Sequence, residues 1–298
     1  MKKISLFFGV LLAVFSALGQ NGHRFIAAGS GMKSIVIINE KGEKEWSHKV
    51  EGECNDVSML SNGNILYSHK TGAKLINKDH EILWSYTGEK GTEVQSASPL
   101  SAKKFLIMQN GTPAKLMEFH ISGKKLKEIE IPTKTDHPHG QFRNIRKLKN
   151  GHYLIGYFKG DIAVEYSSKG KELKRWNAKG NNFSSVRLKN GNTLVSCGDA
   201  HQLLELNDAG ETVWSLKNGD LKDHPLRFVA NVQVLDNGNF LICNWGGHGH
   251  KNAQAQLIEV TRDKKVVWSF CNWDIAKTIS SVQALDQKGK MEKGQIVR

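Results

Sequence analysis

Short apolar runs recur along nearly the whole chain, each closed by a compact polar turn. Four of the turns are almost the same: Leu60-Ser61-Asn62-Gly63-Asn64, Leu148-Lys149-Asn150-Gly151-His152, Leu188-Lys189-Asn190-Gly191-Asn192 and Leu235-Asp236-Asn237-Gly238-Asn239. Each precedes a short apolar stretch: Ile65 to Tyr67, Tyr153 to Ile155, Thr193 to Val195 and Phe240 to Ile242. Asn-Gly between two apolar runs is a strong hairpin signal, because both residues tolerate positive φ. A second hairpin follows, in which a Gly-centred polar turn leads into Trp: Ile38 to Trp46, Glu165 to Trp176 and Leu206 to Trp214. Variants without the Gly end at Trp84 and Trp268, and Ser122-Gly123-Lys124-Lys125 followed by Ile129 reads as a copy that has lost its Trp.

The spacing fixes the architecture. From Trp46 to Trp268 there are 222 residues over five steps, a mean period of about 44. Two hairpins in such a period make a four-stranded unit, the blade of a β-propeller. The runs are nearly continuously apolar, as expected where neighbouring blades cover both sheet faces. Coils of an open β-solenoid are shorter than this period. We therefore expect an all-β chain folded as a six-bladed propeller. Innermost strands are predicted near Asp56–Leu60, Val94–Leu100, Phe142–Leu148, Ser184–Leu188, Ala230–Leu235 and Ser280–Leu285. The first segments (Arg24–Ala28, Ser34–Ile38, Glu45–Lys49) supply three strands without an inner one. The C-terminal strand completes that blade and closes the ring, which removes open sheet edges. The trailing Gln295-Ile296-Val297-Arg298 has no assigned place.

The chain opens Met1-Lys2-Lys3 and runs apolar from Ile4 to Leu18 before Gly19, the pattern of a secretory signal peptide. Residues 1–19 are read as the leader and 20–298 as a single propeller domain, exported to the periplasm or secreted. The apolar stretch is too short to span a bilayer. Composition agrees with a folded, turn-rich domain: 39% apolar, 29 Gly and only 5 Pro. Removing Lys2 and Lys3 lowers the formal charge from +13 to +11, which favours anionic partners. Much of that charge lies on outer hairpins, at Lys41, Lys44, Lys124, Lys125, Lys127, Lys169 and Lys171, without interleaved aromatics. A nucleic-acid partner is not expected. The four cysteines form no CxxC pair, so no zinc knot is predicted, and a Cys243–Cys271 bridge stays open.

Propeller topology turns sequence position into geometry. The Asn-Gly turns lie on one face of the disc, and the lead-ins to inner strands and ends of second strands lie on the other, where propellers build binding sites. That second face collects unusual residues. The lead-in to blade four contains Asp136-His137-Pro138-His139-Gly140-Gln141-Phe142-Arg143, and that to blade six Asp223-His224-Pro225-Leu226-Arg227-Phe228. Blade six adds Asn244-Trp245-Gly246-Gly247-His248-Gly249-His250, while His69 and Asp199-Ala200-His201 occupy matching places in blades two and five. Glu53 and Glu93 come from the lead-ins of blades two and three. At least seven of the twelve histidines thus project to one end.

The chemistry of these residues defines the candidates. Histidine is the usual general acid or base near neutral pH, and Arg grips planar carboxylates or tetrahedral oxyanions in two-pronged fashion. His137, His139, His224, Arg143 and Arg227 are the catalytic candidates. His69, Asp199, His201, Asn244, Trp245, His248 and His250 are the ligand-binding ones, with Trp245 offering a flat surface to a sugar ring. Asp-His-Pro also reads as a plain capped turn. His-Pro-His and His-Gly-His also suit a metal, but such pairs are weak signals and no metal site is assigned. The five blade-closing tryptophans are read as packing residues, and Arg146 and Arg187 as structural.

The segments Glu205 to Trp214 and Ile38 to Trp46 resemble the repeats of PQQ-like propellers, and the Asn-Gly-Asn turns are similar to those of arylsulfotransferase-like propellers of exported bacterial proteins. The resemblance spans the mature chain but lies in blade-building motifs. Quinoprotein dehydrogenases have eight blades and a paired-cysteine motif, both lacking here, so no PQQ and no other cofactor is expected. The arylsulfotransferase resemblance implies a His nucleophile with His and Arg support, yet no catalytic residue aligns. The expected partner is an anionic small molecule or oligosaccharide. Three readings stand: acid–base, lyase-type processing of an anionic carbohydrate-like ligand, sulfuryl transfer through His, or a non-catalytic binding or scaffold propeller.

Overall fold

The computed structural model describes residues 22–249 and 254–298; the expected leader and His250 lie outside these described residues. Among the described residues, twenty-four strands form six four-stranded antiparallel sheets arranged as a six-bladed β-propeller. Blades two to six run consecutively from inside to outside. Blade one is composite: Ser281–Ala284 is its innermost strand and pairs with Phe25–Ala28, in the register Phe25↔Ala284 to Ala28↔Ser281. The ring closes as the sequence predicts.

Burial follows position within the blade. Second strands such as Tyr153–Tyr157, Thr193–Cys197 and Phe240–Asn244 are buried throughout. Outermost strands alternate, as in Lys125–Ile131 and Glu172–Asn177. The sheet is therefore sandwiched near the axis and half-wetted at the rim. In every blade the register between third and fourth strands shifts beside the polar turn, for example between Glu205 and Leu206. In four blades a glycine at positive φ closes that turn, at Gly42, Gly123, Gly170 and Gly210. His80 and Lys264 hold the same left-handed place in the other two.

The repeated residues tie blade to blade. Trp46, Trp176 and Trp214 donate their indole N–H to Lys78, Asn207 and Arg262 carbonyls in the next blade, at 2.9, 3.0 and 2.8 Å. A recurring third-strand glutamate holds the Asn-Gly turn of its own blade: Glu205 accepts from Asn190 and Asn192, and Glu259 from Asn237 and Asn239. Each also receives a cation from the next blade, Arg262 and His23 respectively.

The trailing segment finds a place on the axis. Val297 bridges to Val234, and the buried Arg298 side chain donates to Asp56 at 2.7 Å. Arg146 grips the same carboxylate through two N–H groups at 2.8 and 2.9 Å, a structural role. Burial alone would raise the Asp56 carboxyl, but the two guanidinium groups outweigh it and hold it below its ordinary value. The Cys243–Cys271 bridge does not form: Cys243 is buried, Cys271 is exposed, and both are free thiols. Among the described residues, no helix is long and apolar enough to cross a membrane.

Candidate functional site

A cavity of about 360 Å³ opens on the face that carries the inner-strand lead-ins. Its walls come from just those connections: Glu53 and Asn55 before blade two, His139 and Arg143 at blade four, Asn181 and Phe183 at blade five, and Phe228 before blade six. Loops after second strands add Phe158 and Lys159, Asp199, and Trp245 with His248.

Arg143 dominates the wall. It is only 2% exposed, and its guanidinium lies 4.0 Å from the Phe158 ring centroid and 6.0 Å from that of Phe183. Nη1 donates to the Phe142 carbonyl at 3.2 Å, while Nε has no partner. Burial lowers its pKa to about 10, and the charges of Glu53 and Glu93 limit the fall. A buried, still charged guanidinium with an idle donor invites an acceptor from outside the chain.

Two histidine–carboxylate pairs flank it. His139 Nδ1 lies 2.9 Å from Glu93 and 4.0 Å from Glu53. Burial would raise Glu93, yet hydrogen bonds from His139 and Gln95 and the charge of Lys70 bring it down to about 2. Across the cavity His248 Nδ1 lies 3.2 Å from Asp199, whose other oxygen is held by Asn181. A neutral ring that donates Nδ1–H to a carboxylate leaves Nε2 as a proton acceptor. The remaining wall is aromatic: Phe228 and Trp245 meet edge to face at 5.0 Å, and His248 sits edge-on to both at 5.9 and 5.0 Å. Beneath lies a buried amide floor, where Ser280 and Asn144 fix Asn55 at 2.9 and 3.2 Å and Asn231 donates to Asn144 at 3.0 Å.

Local sequence explains this placement. Pro138–Gly140 forms a single 3₁₀ turn, which swings His139 inward ahead of the inner strand. Asp161 accepts from the Gly180 and Asn181 amides at 2.9 and 3.1 Å, pinning the blade-five lead-in. Gly198 is dictated by close approach: a Cβ there would lie 2.1 Å from the Phe228 ring.

Of the residues singled out from sequence, Glu53, His139, Arg143, Asp199, Trp245 and His248 meet at this cavity. The others lie elsewhere. His137 is exposed, with its ring 6.4 Å from that of His139. His224 turns to the rim, against the Lys222 carbonyl at 3.1 Å and Ser269 Oγ at 3.3 Å on the outermost strand of blade six. His201 Nδ1 meets the Arg227 carbonyl. Asn244 is a brace, accepting from Arg227 N at 2.7 Å and donating to Pro225 and Ala255 carbonyls at 2.9 and 3.1 Å. His69 lines a separate cleft, and His250 falls outside the described residues.

The two Asp-His-Pro copies explain part of this. Ile145 pairs with Ile155 and Val232 with Ile242, so the blades superpose at an offset of 87. On that register Asp136, His137 and Pro138 match Asp223, His224 and Pro225, but Arg143 matches Ala230 and Arg227 matches Gly140. The arginines are not equivalent. Sequence reading also passed over Phe158, Phe183, Phe228, Lys159 and Asn181, although an aromatic at or just before three inner strands (Phe142, Phe183, Phe228) was a visible signal.

A six-bladed propeller with a polar-and-aromatic cavity on its lead-in face is the class this fold and site define. The chain belongs to the Mal s 1 allergenic protein-like family, whose profile matches residues 31–265. The β-propeller part of the sequence resemblance is thereby supported, while neither the PQQ-like nor the arylsulfotransferase-like name appears in this match. The chain is similar to a crystal structure of a protein of unknown function from Bacteroides caccae, with 35% identity over 88% of this chain and 98% of that one and a TM-score of 0.82. More distantly, it shares its fold with a catalytically inactive virginiamycin B lyase variant from Staphylococcus aureus solved with quinupristin, at 11% identity over 88% of each chain and a TM-score of 0.60. The WD40 propeller domain of Doa1 is comparable, at 14% identity over 73% of this chain and 70% of that one, TM-score 0.57. No curated protein matches the chain.

Proposed function

We propose that this exported propeller binds an anionic, carbohydrate-like ligand in the Arg143 cavity and processes it by acid–base elimination. The observation that carries the reading is Arg143 itself: buried, charged, stacked on Phe158, lining the cavity and paired with no carboxylate among the described residues. Glu93 and Asp199 are engaged by His139 and His248, so they compete little for the guanidinium. Trp245 and Phe228 offer an apolar wall to a ring, and the volume falls in the range of about 300–1,000 Å³ typical of small-molecule sites.

In the elimination, His139 Nε2 removes the proton α to the ligand carboxylate. The C–H electrons form the new C=C bond, the β oxygen leaves with its bonding pair, and protonated His248 gives it a proton. Arg143 neutralises the charge that develops on the carboxylate. Sulfuryl transfer is the competing reading, favoured by the same geometry, since Glu93 holds Nδ1 and leaves His139 Nε2 to act as the nucleophile. The two differ in product.

Incubation with uronic-acid polysaccharides, following absorbance of new double bonds, tests elimination. Activity in the wild type that falls by about tenfold or more in Arg143→Met supports it, since a hydrogen bond to a charged group is worth about 1.5–3 kcal/mol. No double bond with any uronate, and equal uronate binding by wild type and Arg143→Met, would overturn it.

A further inference from the structure

A second cleft, which shares no lining residue with that cavity, lies at the outer junction of blades one and two. The rings of Trp46, His80 and His48 lie nearly parallel, with centroids 5.1 Å apart for Trp46–His80 and 5.2 Å for His48–His80. The two imidazole Nδ1 atoms approach to 3.0 Å, and His48 Nε2 lies 3.2 Å from the Tyr67 hydroxyl. His80 occupies the turn position that is glycine in four other blades, at φ +69°. A side chain there costs stability that glycine avoids, a departure shared only with Lys264 of blade six among the described turns.

The imidazoles border a cleft of about 150 Å³ whose other walls include Lys49, Glu51, Tyr67, His69 and Lys74. Two lysines face one carboxylate, and neither lysine has an ion-pair partner among the described residues. The field is felt by the rings: burial first, then His80 and Lys74, hold His48 below its ordinary pKa, and burial and Lys74 do the same to His69. An Nδ1–Nδ1 hydrogen bond also needs one bare nitrogen, so the resting pair carries at most one shared proton beyond neutrality. Full protonation would set two cations 3.0 Å apart, beside Lys74. A doubly charged tetrahedral anion would relieve that repulsion.

We propose that this cleft is a second ligand site, for a sulfate- or phosphate-bearing group, in which His48 and His80 form a proton-dependent clamp supported by Lys49 and Lys74. Binding is then coupled to proton uptake: the anion favours the doubly charged pair, and acid favours the anion. The site is independent of the Arg143 cavity.

The test uses inorganic sulfate, whose charge does not change across the range, with inorganic phosphate as a second arm and acetate as a shape control. Calorimetric titrations at about pH 5.5 and about pH 8, in buffers of different ionisation heat, read affinity and proton uptake together. Expected is sulfate binding with uptake of about one proton and affinity at least about tenfold weaker at the higher pH. His80→Asn keeps a residue that tolerates left-handed φ, so the turn survives. It should lose the acid-dependent binding and the proton uptake, while His48→Gln repeats the loss by a different route. Phosphate bound like sulfate assigns the site to tetrahedral oxyanions generally; sulfate alone assigns it to sulfate esters. Equal affinity at both pH values, acetate binding as tightly as sulfate, or unchanged binding in a folded His80→Asn protein would overturn the proposal.

Discussion

His23 closes the ring a second time, beyond the inner strand. Its Nδ1 lies 2.7 Å from Asp286, after the last inner strand, and its Nε2 2.9 Å from Glu259 in blade six, with the ring edge-on to Trp268. Burial opposes the charged imidazole, but the hydrogen bonds and charges of Asp286 and Glu259 outweigh it, raising the pKa from 6.5 to about 9. A folded-state pKa above the unfolded one stabilises fully below the unfolded value and is lost as pH climbs through the folded one. The contribution should therefore be complete below pH 6.5 and gone above about 9. A lift from 6.5 to about 9 amounts to roughly 3 kcal/mol at about 1.4 kcal/mol per pH unit. Solvent screening at this partly exposed site reduces it to about 1–2 kcal/mol. The carboxyls of Glu259 and Asp286 are both lowered, the second mainly against burial by the same His23 bond, so the pair also weakens in acid below the ordinary carboxylate range. Urea denaturation of wild type and His23→Gln, at steps from about pH 5.5 to about 9.5, measures the difference directly. It should shrink from about 1–2 kcal/mol to near zero across that span, a few degrees in Tm. A difference that stays flat, or grows with pH, would refute the assignment of a charged His23 to ring closure.

Three further outcomes follow from the same geometry. Asp56→Asn leaves Arg146 and Arg298 facing each other on the axis without their shared carboxylate, and should cost about 3–5 kcal/mol in chemical denaturation. Gly198→Ala forces the Phe228 ring aside and should cost about 1–3 kcal/mol in stability while narrowing the cavity, seen as weaker ligand binding than in wild type. Native thiol titration should find Cys271 alone reacting quickly, because burial pushes Cys197 up to about 12 and Cys54 and Cys243 higher still.

The fold was legible because its signals are local and repeated. Asn-Gly turns, Gly turns and tryptophans each report a hairpin by backbone preference, and their shared period counts the blades. Closure was readable too, as the chain ends supply complementary parts of one blade. Arg298 was not, since a lone arginine meeting Asp56 across 242 residues has no periodic signature. The site was half legible. Topology assigned the face on which the cavity opens, but membership in the cavity depends on where each lead-in bends. His139 turns inward on the Pro138–Gly140 turn, whereas its counterpart in blade six is the buried Leu226 and His224 reaches the rim. The wall phenylalanines read as ordinary core, because an apolar residue at the start of a buried strand looks the same whether it faces a cavity or a neighbour. His80 was visible in principle, as the imidazole standing where four other turns have glycine.

Arg143 is proposed to receive the negative charge of a ring-shaped ligand. A crystal soaked with a uronate oligosaccharide tests it most directly. The ligand carboxylate should sit on the Arg143 guanidinium, the sugar face against Trp245 and Phe228, and His139 Nε2 next to the α carbon. A uronate seated away from Arg143, or a cavity that stays without ligand at concentrations saturating in solution, would contradict it.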